Sequence, residues 1–290
     1  TGRGELGQRG RAMSVVTSVA PETAIGLEPV ESGAGGTLYW ALADVVTITK
    51  RNLIRYSRTP DALFFSTVQP IMFVLLFRYV FGGAIHPPSH VPYVDFLMAG
   101  IFAQSVFFGG ISTAVGLAED LQSGLIERFR ALPMSRLAVL AGRTFADLLR
   151  NVVVVAVMTA MGALVGFGFP TGGLAFLAAS ALVLLFAYTL LWGFAVIGLS
   201  ASNSETAQVM AFPIVFPLLF ASPAFVPVQD MPGWLQAFAV HQPIGVMIDA
   251  TRALMIGGPT ASDVLQALAW CAGLLAVLVP LSIWRYRRTV

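Results

Sequence analysis

The sequence predicts an all-α, polytopic membrane protein, and three observations predict it. Apolar residues make up 57% of the chain and charged residues only 11%, less than half of the ~25% typical of soluble domains. The apolar residues gather in runs of about 20, the length that crosses roughly 30 Å of hydrocarbon as a helix. None of the runs alternates with the period of two that barrel strands need, so each must close its own backbone hydrogen bonds as a helix.

Residues 1–36 contain Gly, Pro, Ser and Glu without an apolar run and are expected to be a disordered cytoplasmic tail. They lack the basic start and apolar core of a cleaved signal peptide, and Met13 offers an alternative first residue. Residues 37–290 read as one transmembrane domain. Over 38–58, Leu38, Leu42, Val45, Thr49, Leu53 and Tyr56 follow helical spacing, with Asp44, Arg51, Arg55 and Arg58 opposite. That is an amphipathic helix suited to the membrane interface. Six spans are expected at about 62–82, 94–117, 149–169, 174–199, 207–227 and 264–284. Ser202 and Glu205 have the spacing of a capping box that opens the fifth. The stretch 232–256, with Pro243 inside and His241, Asp249 and Arg252 along it, reads as a broken helical segment at the outer interface.

Orientation follows from the basic residues. Of the 17 Lys and Arg, all but Arg78 and Arg252 fall before the first span, in the loop between the second and third and its flanks, or after the sixth. For six spans these blocks share one side, which places both termini in the cytoplasm of a cell-membrane protein. The same clustering argues against a nucleic-acid surface, despite a pI near 8.9. One Cys and three His leave neither a disulfide framework nor a cysteine-based zinc site.

"EDLQSGLIERFRALPMSR", positions 119–136, is a charged island between two apolar spans. Leu121, Leu125, Phe129 and Leu132 recur on one helical face, with Glu127 and Arg130 together on another. Pro133 stops this helix and Ser135 can cap the next. Topology needs only basic residues, yet Glu119, Asp120 and Glu127 are interleaved with the arginines, as on a surface built to pair with a protein partner.

At these residues the chain resembles a known family. "GLAEDLQSGLIERFRALPMSRLAVLAGRTFADLLRN" is similar to the signature loop of type-2 ATP-binding-cassette permeases, in the daunorubicin-resistance efflux branch. "FGGAIHPPSHVPYVDFLMAGIFAQ" and "FVPVQDMPGWLQAFAVHQPIGVMIDATRALMIGGP" agree with it, and the resemblance extends over about residues 38–290. It implies a six-helix permease that pairs with a second permease, identical or a sister chain, and docks two copies of a cytoplasmic ATPase. It makes 119–131 the coupling helix and 38–58 the connecting helix. Coupling to the ATPase then falls to Glu119, Asp120, Gly124, Glu127, Arg128, Arg130, Pro133 and Arg136.

No nucleotide site can be read in the chain itself. Its one Lys, Lys50, follows "DVVTIT" without a glycine nearby, whereas a phosphate-binding loop needs GxxxxGK[ST]. ATP and Mg²⁺ are therefore expected on the partner, with no cofactor, metal or catalytic residue here. An ion-coupled transporter would place acids within the membrane. Asp95, Asp147 and Asp263 all lie near span ends, and Asp147 has Arg143 and Arg150 at helical ion-pair spacing.

The substrate path is expected on spans two and five, which the resemblance sets at the permease–permease interface. Phe212, Phe216 and Phe220 form an aromatic stripe beside Pro213 and Pro217, and Phe102, Gln104, Phe107 and Phe108 precede Gly109 and Gly110. An apolar, aromatic lining suits a lipophilic compound such as a drug, lipid or glycolipid. A polysaccharide or glycoconjugate exporter is the alternative, but it would want many polar groups. Asp249 and Arg252 are candidate exit-side residues, and their spacing also allows a simple local pair.

Overall fold

The computed structural model describes residues 34–58, 60–83, 85, 91–125 and 136–289. Among them every regular element is helical. The α-helices are α1 (Ala34–Arg58), α2 (Pro60–Leu76), α3 (Tyr93–Gln122), α4 (Arg136–Val165), α5 (Gly173–Ser200), α6 (Ser204–Phe220), α7 (Gly233–His241), α8 (Pro243–Ile256) and α9 (Thr260–Thr289). A π-helical turn (Phe77–Phe81) continues α2.

Helix α3 is the axis of the bundle. Its side chains are buried almost throughout, because α2, α4, α5, α6 and α8 all pack on it. Helix α9 lies at the periphery against α5 and α8 and exposes Leu265, Leu268, Val277 and Trp284. Large apolar side chains facing outward along a 30-residue helix are costly in water and favourable in hydrocarbon. Among the described residues, four of the six expected spans correspond to helices long and apolar enough to cross a membrane: α3, α5, α9 and Ala138–Val165 of α4. Helix α6 is apolar but has only 17 residues, about 25 Å at 1.5 Å per residue.

Helix α4 begins at Arg136, directly after Ser135, the residue expected to cap the helix that leads into the third span. Its first turns carry Arg143, Asp147 and Arg150, which hydropathy assigns to water but which the fold buries as a paired group. Helix α6 ends at Phe220 rather than near 227, and the chain turns inward over 221–227. The carbonyls of that turn are satisfied by side chains, as buried backbone requires. Gln242 Nε2 donates to Ala221 O at 2.6 Å, Arg252 to Pro223 O at 2.7 Å and Tyr93 to Phe225 O at 3.4 Å.

The start of α6 is also corrected. Asn203, not Ser202, is the N-cap, and its side chain accepts from Thr206 N at 2.7 Å. The region 232–256 is a broken helix as expected, with the break at Gln242 and Pro243 at the first position of α8.

Helix α1 packs on α4. The expected apolar stripe divides: Thr49 is buried while Leu42 and Leu53 are exposed, and Ile48 and Asn52, outside that stripe, are buried with Thr49. Thr49 Oγ1 donates to Gly142 O at 3.1 Å, so the contact with α4 is made by a small, partly polar face.

Candidate functional site

The charged end of the bundle is built by α1, the last turns of α3 and the first turns of α4. Asp120 sits at its centre. It accepts from Arg55 Nη1 at 2.8 Å and from Arg143 Nη1, while Glu119 accepts from Arg55 Nη2 at 3.1 Å. Arg143 also donates to Gly116 O at 3.1 Å, and its Nε lies 3.7 Å from Asp147 Oδ2. Asp147 is fully buried and accepts from the Tyr56 hydroxyl. Arg150 donates to Gly109 O at 2.7 Å and stands 3.9 Å from Asp147. Burial, then the Asp147 carboxylate, push the Tyr56 hydroxyl well above its ordinary range, so it remains a donor. Three helices are thus joined by one chain of charge-assisted bonds.

This network corrects the expected coupling helix in part. Glu119 and Asp120 belong to the last turn of α3, not to a separate loop helix, and Asp120 turns into the protein. Helix α3 stops where Gly124 N bonds back to Leu121 O at 3.2 Å and Gly124 takes φ +66°, where glycine has no Cβ penalty. Arg136 is the first residue of α4, but its side chain, like Glu127, Arg128, Arg130 and Pro133, lies outside the described residues.

Next to the network lies a cavity of about 720 Å³ flanked by α2, α3 and α6. Part of its lining is aromatic, with Phe73, Phe108, Phe212 and Phe216, and part is polar, with Asn52, Arg55, Tyr56, Glu119, Arg143 and Arg150 together with Gln69, Ser112 and Gln208. Phe212 and Phe216 are adjacent rings with centroids 5.5 Å apart, and Phe220 stacks on Phe216 at 5.2 Å beyond the cavity lining. Phe102, Gln104 and Phe107 are corrected: each is at most 2% exposed and none lines the cavity. Phe102 packs near Phe176 and Phe107 meets Phe194 edge-on, while Gln104 Oε1 has no hydrogen-bond partner among the described residues. Position on a helix gives a face, but only the packing of α5 against α3 covers that face.

At the opposite end Asp249 and Arg252 form the expected local pair at 3.1 Å. Arg252 does more, since its guanidinium lies 3.8 Å from the Phe96 ring centroid and also holds the Pro223 carbonyl. Burial lowers its pKa to about 10, opposed by Asp249, so it stays charged at neutral pH. These bonds clamp the 221–227 turn onto α3. A shallower cavity of about 460 Å³ beside them is lined by Asp249, Arg252, Gln229 and Asp263.

Residues 43–256 match the ABC-2 type transporter family. The chain belongs to that family. It is 34% identical over 247 residues to a daunorubicin resistance ABC transporter permease protein of Streptomyces coeruleorubidus, covering 85% of this chain and 87% of that protein. A probable doxorubicin resistance ABC transporter permease protein of Mycobacterium tuberculosis is 28% identical over 253 residues, with 85% and 89% covered. A putative transport permease of Cyanophora paradoxa is 25% identical over 227 residues, with 77% and 78% covered. The long apolar helices are therefore those of an integral membrane permease of the ABC transporter class. Sequence reasoning missed several residues that line its cavity: Asn52, Gln69, Phe73 and Gln208. A Phe repeated every four residues is a visible signal, whereas single residues contributed by α1, α2 and α6 give none.

Proposed function

We propose that this permease is one of two in an ATP-driven exporter and moves a lipophilic compound out of the cytoplasm or inner leaflet. The observation that carries this reading is the cavity itself, an aromatic groove whose polar lining adjoins the paired charges of α1, α3 and α4. In this reading a separate cytoplasmic ATPase, two copies per complex, binds ATP and Mg²⁺ and seats the stretch containing Glu127, Arg128, Arg130 and Pro133. Both termini are cytoplasmic. Movement of that stretch reaches α1 through Glu119 and Asp120, which are bonded to Arg55, and reaches α4 through Asp120 and Arg143. Because Asp120 and Arg143 are buried and Asp120 is shared with Arg55, the three helix ends move together and the groove changes shape with them.

The test uses the assembled complex. Glu127→Arg should reduce co-purification of the ATPase by tenfold or more, since breaking a partly buried charge pair costs about 2–5 kcal/mol. Phe216→Ala should change the stimulation of ATPase activity by transported compounds while basal hydrolysis persists. Phe216 is 43% exposed, so its truncation should cost less stability than the ~3–5 kcal/mol of a core Phe. Wild-type stimulation in a well-folded Phe216→Ala protein would remove the groove from the transport path.

A further inference from the structure

Building on that reading of the groove, we infer that it selects amphiphiles with an anionic head, such as a phosphate or carboxylate, whose tail lies along the aromatic wall. Among the described residues, the polar part of the lining includes Arg55, Arg143 and Arg150 and one carboxylate, Glu119. Asp120 and Asp147, which balance these arginines, are not among the residues that line the cavity. Among the described residues the lining thus carries three guanidinium groups and one carboxylate, with the two balancing carboxylates set behind them.

Arg150 is the least neutralised of the three. Its ion-pair partner, Asp147, is 3.9 Å away, beyond hydrogen-bond distance, and its other contacts are the uncharged Gly109 carbonyl and the Tyr56 ring, 5.5 Å from the guanidinium. With the Arg150 side chain only 8% exposed, little water screens its field, and such a charge acts more strongly on a neighbour than it would in bulk solvent. A second donor is available nearby. Asn52 is 2% exposed and lines the same cavity, and its Nδ2 has no hydrogen-bond partner among the described residues. Buried donors without partners are costly, so an oxygen-rich head that accepts from Asn52 and faces Arg150 gains on both counts. A cationic head would meet three guanidinium groups, a repulsive element that sharpens selection. Phe73, Phe108, Phe212 and Phe216 supply apolar surface to the same lining, and about 720 Å³ is the size of pocket that encloses one small amphiphile.

The experiment is native mass spectrometry of the full chain in non-ionic detergent. It is titrated separately with phosphatidylglycerol, phosphatidylcholine, dodecyl phosphate and dodecyltrimethylammonium. Wild type should retain phosphatidylglycerol about tenfold more than phosphatidylcholine, and Arg150→Gln should abolish the preference. Arg150 also bonds to α3, so a second variant guards against simple misfolding. Gln69→Glu adds a carboxylate to the cavity lining from α2 and leaves the buried network intact, and it should cut anionic retention by about tenfold. Retention of dodecyl phosphate as well as phosphatidylglycerol supports a free anionic amphiphile, and phosphatidylglycerol alone supports a membrane headgroup. Equal retention of the two lipids, a preference for dodecyltrimethylammonium, or a preference untouched in Gln69→Glu overturns the inference. Phe216→Ala separates the two readings. If it lowers retention of every amphiphile while the charge variants do nothing, the groove remains a lipophilic path and only its charge selection falls. If the charge variants act but Phe216→Ala leaves stimulation of the complex unchanged, the site binds anions and the transport path lies elsewhere.

Discussion

Asp147→Ala is expected to destabilise the permease by about 3–5 kcal/mol, because it leaves Arg143 and Arg150 buried with one carboxylate fewer. Asp147 is fully buried, and both arginine side chains are less than a tenth exposed. Neither guanidinium can lose its proton to escape the penalty. Tyr56→Phe removes one donor to the same carboxylate and should cost only about 1 kcal/mol, the usual net worth of a hydrogen bond. Thermal and denaturant unfolding of the two variants in the same detergent checks the difference. Pairing Asp147→Leu with Arg143→Met should recover part of the loss, since apolar replacement of a whole buried pair is often tolerated. If Asp147→Ala is no worse than Tyr56→Phe, water entering from the cavity is solvating the arginines, and the network is softer than its burial suggests.

Gly100→Ala is the second large expected effect. A Cβ at Gly100 would lie 1.9 Å from Ala224 O, 2.6 Å from Ala224 C and 2.9 Å from Ala224 Cα. All three are backbone atoms, so no side chain can rotate aside. The 221–227 turn must move off α3, stretching the Arg252 bond to Pro223 O and the Tyr93 bond to Phe225 O. Overpacking of this kind costs about 1–3 kcal/mol, with further loss from each stretched bond. Gly193→Ala is the matched control, since its Cβ would meet Leu278 only at 3.4–3.7 Å, ordinary contact. The Gly100 variant should therefore melt well below both wild type and the Gly193 variant. Equal melting temperatures would show that the turn is free to shift.

Much of the helical layout was legible because span-length apolar runs leave the backbone little choice. The helix expected over 174–199 runs Gly173–Ser200, and the one over 94–117 runs Tyr93–Gln122. Arg143, Asp147 and Arg150 lie on the helix that Ser135 was expected to cap, and their i,i+3 and i,i+4 spacing correctly suggested that Asp147 pairs with both arginines. What spacing could not suggest was Asp120, since nothing local links it to Arg143 on another helix. The aromatic residues divide in the same way. Phe108, Phe212 and Phe216 reach the cavity, whereas Phe102 and Phe107 are covered by residues of α5.

By itself the sequence determined that the chain is helical and apolar enough for a membrane, that its basic residues fall in blocks, and that it carries a loop resembling the permease signature. These are properties of composition and order, and the hydrocarbon core enforces them on each segment separately. Only the tertiary structure decided that Asp120 points inward, that α1 is bonded to the ends of α3 and α4, and that three arginines and four phenylalanines share one cavity. Which side chains face a cavity depends on which neighbouring helix covers them, and that is settled by close packing between segments far apart in the chain.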